Sequence, residues 1–277
     1  MKKLILLFVS IAALSCAKKD QGKPVTNTPT ANTENTNSSN SAPSTTGNSS
    51  STQTPGTTTG TSKGTPSGPV VANDSLTYLA LGDSYTIGQS VPLAQSFPYQ
   101  LTAQLNQSFK VSVPTIIATT GWTTYNLING INSSGLTTKT YDFVTLLIGV
   151  NDQYWSVSQD TYKSEFSLML TTAIRFAKGN KSHVFVISIP DYSVTPAFNW
   201  ENPDMLDKIS TEINQFNAIN KSLSDQAGVN YLDITDISRQ AATDPSLIAA
   251  DELHPTGKMY NLWVQRLAPM VKSQLQK

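Results

Sequence analysis

Three residues of this chain have the types and the spacing to work together as nucleophile, base and acid: Ser84, His254 and Asp251. A serine hydroxyl is a weak nucleophile until a base takes its proton. A histidine acting as that base needs a carboxylate to fix its tautomer and stabilise its charged form. The chain has only two histidines, His183 and His254. His254 lies in Asp251-Glu252-Leu253-His254-Pro255, and an aspartate three positions earlier can share one side of a tight loop with it. Pro255-Thr256 then suits a helix start. Ser84 lies in Gly82-Asp83-Ser84-Tyr85, where Gly82 would let the backbone turn sharply and expose the hydroxyl. By itself this tripeptide also reads as a turn that caps a helix.

Two further segments can donate to a developing oxyanion. In Thr119-Thr120-Gly121-Trp122, Gly121 would let its backbone N–H approach a reacting carbonyl. In Gly149-Val150-Asn151-Asp152, the Asn151 amide is a neutral donor. Each such donor is worth roughly 10²–10³ in rate. Read singly, Gly121 is a plain turn, and Asn151 and Asp152 are capping residues. Tyr85, Trp122, Tyr154 and Trp155 follow these segments and are candidates to line a substrate pocket; ordinary packing is the competing reading. Asp191 reads as a cap, and His183 as structural.

These residues need a scaffold, and the hydrophobic pattern provides one. Five short apolar runs read as buried strands: Leu76–Gly82, Val111–Ala118, Phe143–Gly149, Val184–Pro190 and Val229–Ile234. Helical spacing recurs between them. Phe97, Leu101 and Leu105 define one helix, and Phe166, Leu170 and Ile174 define another over 160–178. A third covers 204–227, and a last one starts near Thr256. Strand alternating with helix implies a parallel sheet covered on both faces. In such a sheet the ligand site lies beyond the carboxyl ends of the strands. Ser84, Gly121 and Asn151 each follow a strand, and His254 follows the last one.

Gly82-Asp83-Ser84, Gly121, Gly149-Val150-Asn151-Asp152 and Asp251-x-x-His254-Pro255 together resemble the sequence blocks of the SGNH (GDSL) hydrolases. The resemblance covers about 76–275 of a domain read as 75–277. It implies an α/β fold, a three-layer α/β/α sandwich on a flavodoxin-like parallel sheet of about five strands. It implies Ser84 as nucleophile, His254 as general base and Asp251 as its orienting acid. The Ser84 and Gly121 backbone N–H groups and the Asn151 side chain would form the oxyanion hole. The implied activity is hydrolysis of carboxylic esters of glycans, short acids or lysophospholipids, with no metal or organic cofactor. Two positions depart from the pattern. Tyr85 stands where Leu is usual, and Glu252 where Gly or another small residue is frequent, its side chain expected in solvent. Acyl transfer to a sugar, and a non-catalytic glycan-binding domain, use the same fold. A nucleotide binder would leave Asp251 and His254 unexplained.

The remaining chain concerns location. Lys2 and Lys3 precede an apolar stretch, Leu4 to Leu14. It is shorter than the ~20 residues of a spanning helix and matches a secretory signal. Ala13-Leu14-Ser15-Cys16 resembles a bacterial lipoprotein processing site, although Ala13 stands where Leu is usual. Residues 1–15 then read as a signal peptide and Cys16 as the lipidated residue of an envelope protein held to a membrane. Cys16 is the single cysteine, so no internal disulfide can form. Residues 16–74 are rich in Ser, Thr, Asn, Gly and Pro, and read as a disordered tether of about 40 Å mean span. The 19 basic and 19 acidic residues balance, which gives no sign of a nucleic-acid partner.

Overall fold

Runs of Val, Ile, Leu and aromatic residues bounded by Gly and polar positions form the five strands of a parallel sheet. The structure is a computed structural model that describes residues 75–277. The signal segment, Cys16 and the proposed tether lie outside the described residues. In chain order the main elements are β1 (Tyr78–Gly82), α1 (Ser84–Ile87), α2 (Phe97–Leu105), β2 (Thr115–Ala118) and α3 (Thr124–Ser133). There follow β3 (Phe143–Leu147), α4 (Val150–Tyr154), α5 (Gln159–Phe176), β4 (Val184–Ile187) and α6 (Pro203–Ala227). The last are β5 (Asn230–Leu232), α7 (Thr235–Arg239) and α8 (Gly257–Leu275).

The strand order is β2-β1-β3-β4-β5, with every neighbouring pair parallel. Strands β1, β3 and β4 are buried along their whole length, as a sheet covered on both faces requires. Helices α2 and α8 pack together as one set, while α5 packs against α3 and α6 in another. Across β1 and β3, Tyr78 stacks on Phe143 with ring centroids 4.4 Å apart. Phe97, Tyr260 and Trp263 join α2 to α8 through ring contacts.

The strands are shorter than the apolar runs suggest, for local reasons. Regular pairing in β2 begins at Thr115 rather than Val111, because Pro114 has no N–H to give the ladder. Val111 keeps an isolated bridge to Leu76. β3 stops at Leu147, two residues before Gly149 takes a φ of 126°. His183 sits where β4 begins, and its Nδ1 lies 2.7 Å from the Asp142 carbonyl oxygen, away from the strand ends that carry the candidate residues.

Candidate active site

The sheet order decides which loops meet. β1 lies between β2 and β3, so the turn bearing Ser84 is flanked by the turns bearing Gly121 and Asn151. Gly82 ends β1, and its role is close approach rather than an unusual backbone angle. A Cβ there would lie 2.0 Å from Thr86 Oγ1 and 2.3 Å from the Leu147 carbonyl oxygen. Asp83 caps α1, its Oδ1 accepting from the Tyr85 N–H at 3.0 Å. Ser84 opens that helix, where N–H groups have no acceptor within the helix. Contrary to the exposure its turn suggests, Ser84 is only 4% exposed.

His254 comes to Ser84 from the far end of the chain. Ile248 and Pro255 form an antiparallel bridge, and Ala249 N–H donates to the His254 carbonyl at 2.8 Å. Residues between them form a tight loop that delivers both partners. His254 Nε2 lies 2.9 Å from Ser84 Oγ, across 170 positions of sequence. Its Nδ1 lies 2.6 Å from Asp251 Oδ2. An ionised carboxylate only accepts, so Nδ1 carries the hydrogen and Nε2 offers its lone pair to the hydroxyl. Asp251 Oδ1 accepts from the backbone N–H groups of Leu253 at 3.1 Å and His254 at 3.0 Å. Burial raises the Asp251 carboxyl, but hydrogen bonds from His254, Ser90 and these N–H groups outweigh it and hold it well below the usual carboxylate range. Glu252 takes a φ of 65°, where glycine would be unstrained, and is exposed.

The donor side is equally tied. Gly121 has a φ of 79°, and its N–H meets no acceptor among the described residues. Asn151 Nδ2 donates one hydrogen to the Trp122 carbonyl at 3.0 Å, which orients the amide and leaves its second hydrogen. Asp152 is fully buried and accepts from the Thr124 N–H at 2.9 Å, so α4 caps α3 across the sequence. Burial pushes the Asp152 carboxyl up to about 6 in spite of those Thr124 bonds. Asp83 goes further, to about 8: burial raises it, the Tyr85 N–H opposes, and the charge of Asp152 adds to the rise. Asp83 Oδ2 has no hydrogen-bond partner among the described residues.

The four aromatic candidates separate. Tyr85 is buried, its ring 5.2 Å from that of His254, so it packs against the histidine instead of offering an open face. Trp122 is half-buried, and its indole covers Gly130, where a Cβ would come within 2.2 Å of it. Tyr154 and Trp155 are 48% and 61% exposed at the end of the helix that carries Asn151. They begin a row of rings, Trp155–Tyr154–Tyr192–Phe198–Trp200, with successive centroids 5.1, 6.2, 4.7 and 6.4 Å apart. The row reaches the triad loop, because Ala197 N–H donates to the Glu252 carbonyl at 2.9 Å. Asp191 accepts from the Ser193 N–H, Ser210 Oγ and Arg239 Nε. It braces the wall of the site, a stronger role than the cap that sequence suggests.

Sequence reading missed Ser90, whose Oγ donates to Asp251 Oδ2 at 2.6 Å. It also missed Gln89, whose Oε1 accepts from Thr120 Oγ1 at 2.7 Å beside Gly121. Neither has a sequence signal, since both bonds join loops far apart in the chain.

Residues 80–262, well over half of the chain, match the model of the GDSL-like Lipase/Acylhydrolase family. No curated protein sequence matches the chain. Among solved structures it is similar to TesA, at 15% identity and TM-score 0.56 over 72% of this chain and 99% of that one. It is similar to Axe2, an acetylxylan esterase from Geobacillus stearothermophilus, at 16% identity and TM-score 0.54 over 73% and 94%. It is also similar to EstA, a psychrotrophic esterase from Pseudoalteromonas sp., at 16% identity and TM-score 0.53 over 73% and 99%. At these identities the likeness to solved structures concerns the fold.

Proposed function

Because the chain belongs to the GDSL-like lipase/acylhydrolase family, we propose that it is a serine esterase with Ser84 as nucleophile, His254 as general base and Asp251 as the orienting acid. The observation that carries this reading is the continuous pair of hydrogen bonds from Ser84 Oγ to His254 Nε2 at 2.9 Å and from His254 Nδ1 to Asp251 Oδ2 at 2.6 Å. The Ser84 proton passes to Nε2 as Oγ bonds to the ester carbonyl carbon. The carbonyl oxygen becomes an oxyanion, met by the N–H groups of Ser84 and Gly121 and the free hydrogen of the Asn151 amide. The carbon–oxygen bond to the alcohol then breaks, and the alcohol leaves with the proton from Nε2. Water repeats the sequence on the acyl-enzyme and frees the acid, restoring Ser84. Asp251 stays ionised throughout and stabilises the imidazolium.

The exposed rings of Tyr154, Trp155 and Trp200 offer the substrate's larger part a surface beside the reacting carbon. The acyl part follows from a series of 4-nitrophenyl esters, acetyl to palmitoyl, given to the full chain and to its Ser84→Ala variant. The proposal expects turnover by the parent and a loss of at least about 10³-fold in the variant. Confinement to acetyl points to an acetylated glycan, and a rise with chain length points to a lipid ester. Turnover that survives Ser84→Ala would remove the proposal.

A further inference from the structure

We propose that Ser90 and Gln89, the pair just after the nucleophile's helix, are positioning residues that hold the triad acid and the oxyanion loop in register with Ser84. The inference rests on the esterase reading above. Three observations carry it. Ser90 Oγ donates to Asp251 Oδ2 at 2.6 Å, the same oxygen that takes the His254 Nδ1 hydrogen at 2.6 Å. Gln89 Oε1 accepts from Thr120 Oγ1 at 2.7 Å, next to the Gly121 N–H. The Gln89 N–H donates to the Ser84 carbonyl at 3.0 Å, so both contacts start from a backbone anchored to the nucleophile.

Ser90 also adopts a φ of 67°, a left-handed conformation that glycine or asparagine takes more easily. The described non-glycine residues with positive φ are Ser90, Ser156, Lys178 and Glu252. Two of these four bracket Asp251, one by hydrogen bond and one as its chain neighbour. Strain kept at such a place has to be held by its surroundings, and it marks a position where the side chain matters more than backbone ease. At Ser90 that side chain is a hydroxyl, which glycine would lose.

The consequence for Asp251 is geometric and electrical. Two donors on Oδ2 and two N–H groups on Oδ1 leave the carboxylate one orientation. Without the Ser90 donor, the Oδ1 bonds keep Asp251 in the loop, but its plane is freer and the imidazole less fixed. Oδ2 then also concentrates its charge on the histidine and stabilises the imidazolium. The other titratable groups around this pair are Glu252 in the loop, Tyr85 and Asp83 at α1, Tyr260 on α8, and Asp191 and Tyr192 after β4. A change at Ser90 alters none of them.

The test compares Ser90→Ala, Ser90→Gly and Gln89→Ala with the parent full chain, using 4-nitrophenyl acetate across a pH series. Ser90→Ala and Ser90→Gly are each expected to lose about tenfold in kcat, the worth of one hydrogen bond to a charged group, at unchanged KM. The acid limb of their kcat/KM profiles moves to higher pH. Ser90→Gly melts at a higher temperature than Ser90→Ala, because glycine relieves the left-handed backbone. Gln89→Ala lowers kcat with the acid limb in place, since it acts on the oxyanion side. Full kcat in Ser90→Gly, or an acid limb that stays or moves down, overturns the role of Ser90. Parent-like kcat in Gln89→Ala overturns that of Gln89. Ser84→Ala run in parallel separates the two levels: if it is dead while the Ser90 variants are normal, this inference fails and the esterase reading stands.

Discussion

Asp251 hydrogen-bonds to His254 and Asp83 directly precedes Ser84, and their surroundings drive the two carboxyls in opposite directions. Asp251 is partly exposed and accepts hydrogen bonds on both oxygens, so its charged form is favoured. The stability it contributes is present above the ordinary carboxylate range and is lost as pH falls through its lowered value. Asp83 is fully buried with one oxygen unpartnered, and its carboxyl is pushed up to about 8. Unfolded, it would release its proton near about 3.9. Between these values the folded chain binds the extra proton, so folding stability falls as pH rises, and the loss is complete above about 8. Asp83→Asn keeps an acceptor for the Tyr85 N–H and removes that slope. Denaturant unfolding at pH 5 and pH 9 is expected to show the parent losing more stability than the variant, by more than about 1 kcal/mol, the worth of a single unit of pKa displacement. Equal losses in the two proteins would show that Asp83 is not a buried acid of this kind. The meeting of Ser84, Asp251 and His254 was legible from sequence because their types suit one another and each sits at a motif. Ser90 was not, because nothing in Gln89-Ser90-Val91 signals a partner in the last loop of the domain.

At the scale of elements, the turn from β3 into α4 leaves no room for a side chain at Gly149. Gly149 has a φ of 126°, and a Cβ there would lie 2.2 Å from the Tyr162 hydroxyl oxygen. That hydroxyl donates within α5's layer to Asn220 Oδ1 at 2.7 Å and lies 3.1 Å from the Ile148 carbonyl oxygen. Gly149→Ala therefore combines an unfavourable backbone angle with a clash against a buried, hydrogen-bonded ring. It is expected to destabilise the domain by about 2–4 kcal/mol, read as a lower denaturation midpoint. A midpoint within experimental error of the parent would mean that the turn has room the structure does not give it. The long helices were legible from their apolar spacing: 160–178 differs from α5 by one residue at its start and two at its end, and 204–227 differs from α6 by one residue at its start alone. The short ones were not. α1, α4 and α7 have four or five residues, less than two turns, and too few for a helical period to be read. α3 was missed although it carries signals, with Thr123 and Asn126 forming a capping box and Leu127 and Ile131 buried on one face.

For the whole molecule, the parallel sheet converts four separated motifs into one site. Placing β1 between β2 and β3 sets Ser84 between the loops of Gly121 and Asn151, and the loop before α8 brings His254 from the end of the domain. The gathering of these motifs at one end of the sheet followed from strand–helix alternation and from the rule that chemistry lies at the carboxyl ends of parallel strands, whereas the strand order did not. The ties that hold the loops to one another did not follow. Thr124 to Asp152, Ser90 to Asp251 and Arg239 to Asp191 join residues that meet only in the folded chain. The aromatic row beside the site is a product of the same assembly, since α4 and its C-terminal cap supply Tyr154 and Trp155 while the segment after β4 supplies Tyr192, Phe198 and Trp200.

The central claim is that Ser84 is the nucleophile, and covalent capture tests it most directly. An alkyl phosphonate ester should react with the full chain at one site, giving a single added mass that peptide mapping assigns to Ser84, and ester turnover should fall in step with labelling. Ser84→Ala should take up no label. Label found on another residue, or turnover that persists after Ser84 is fully modified, would contradict the account.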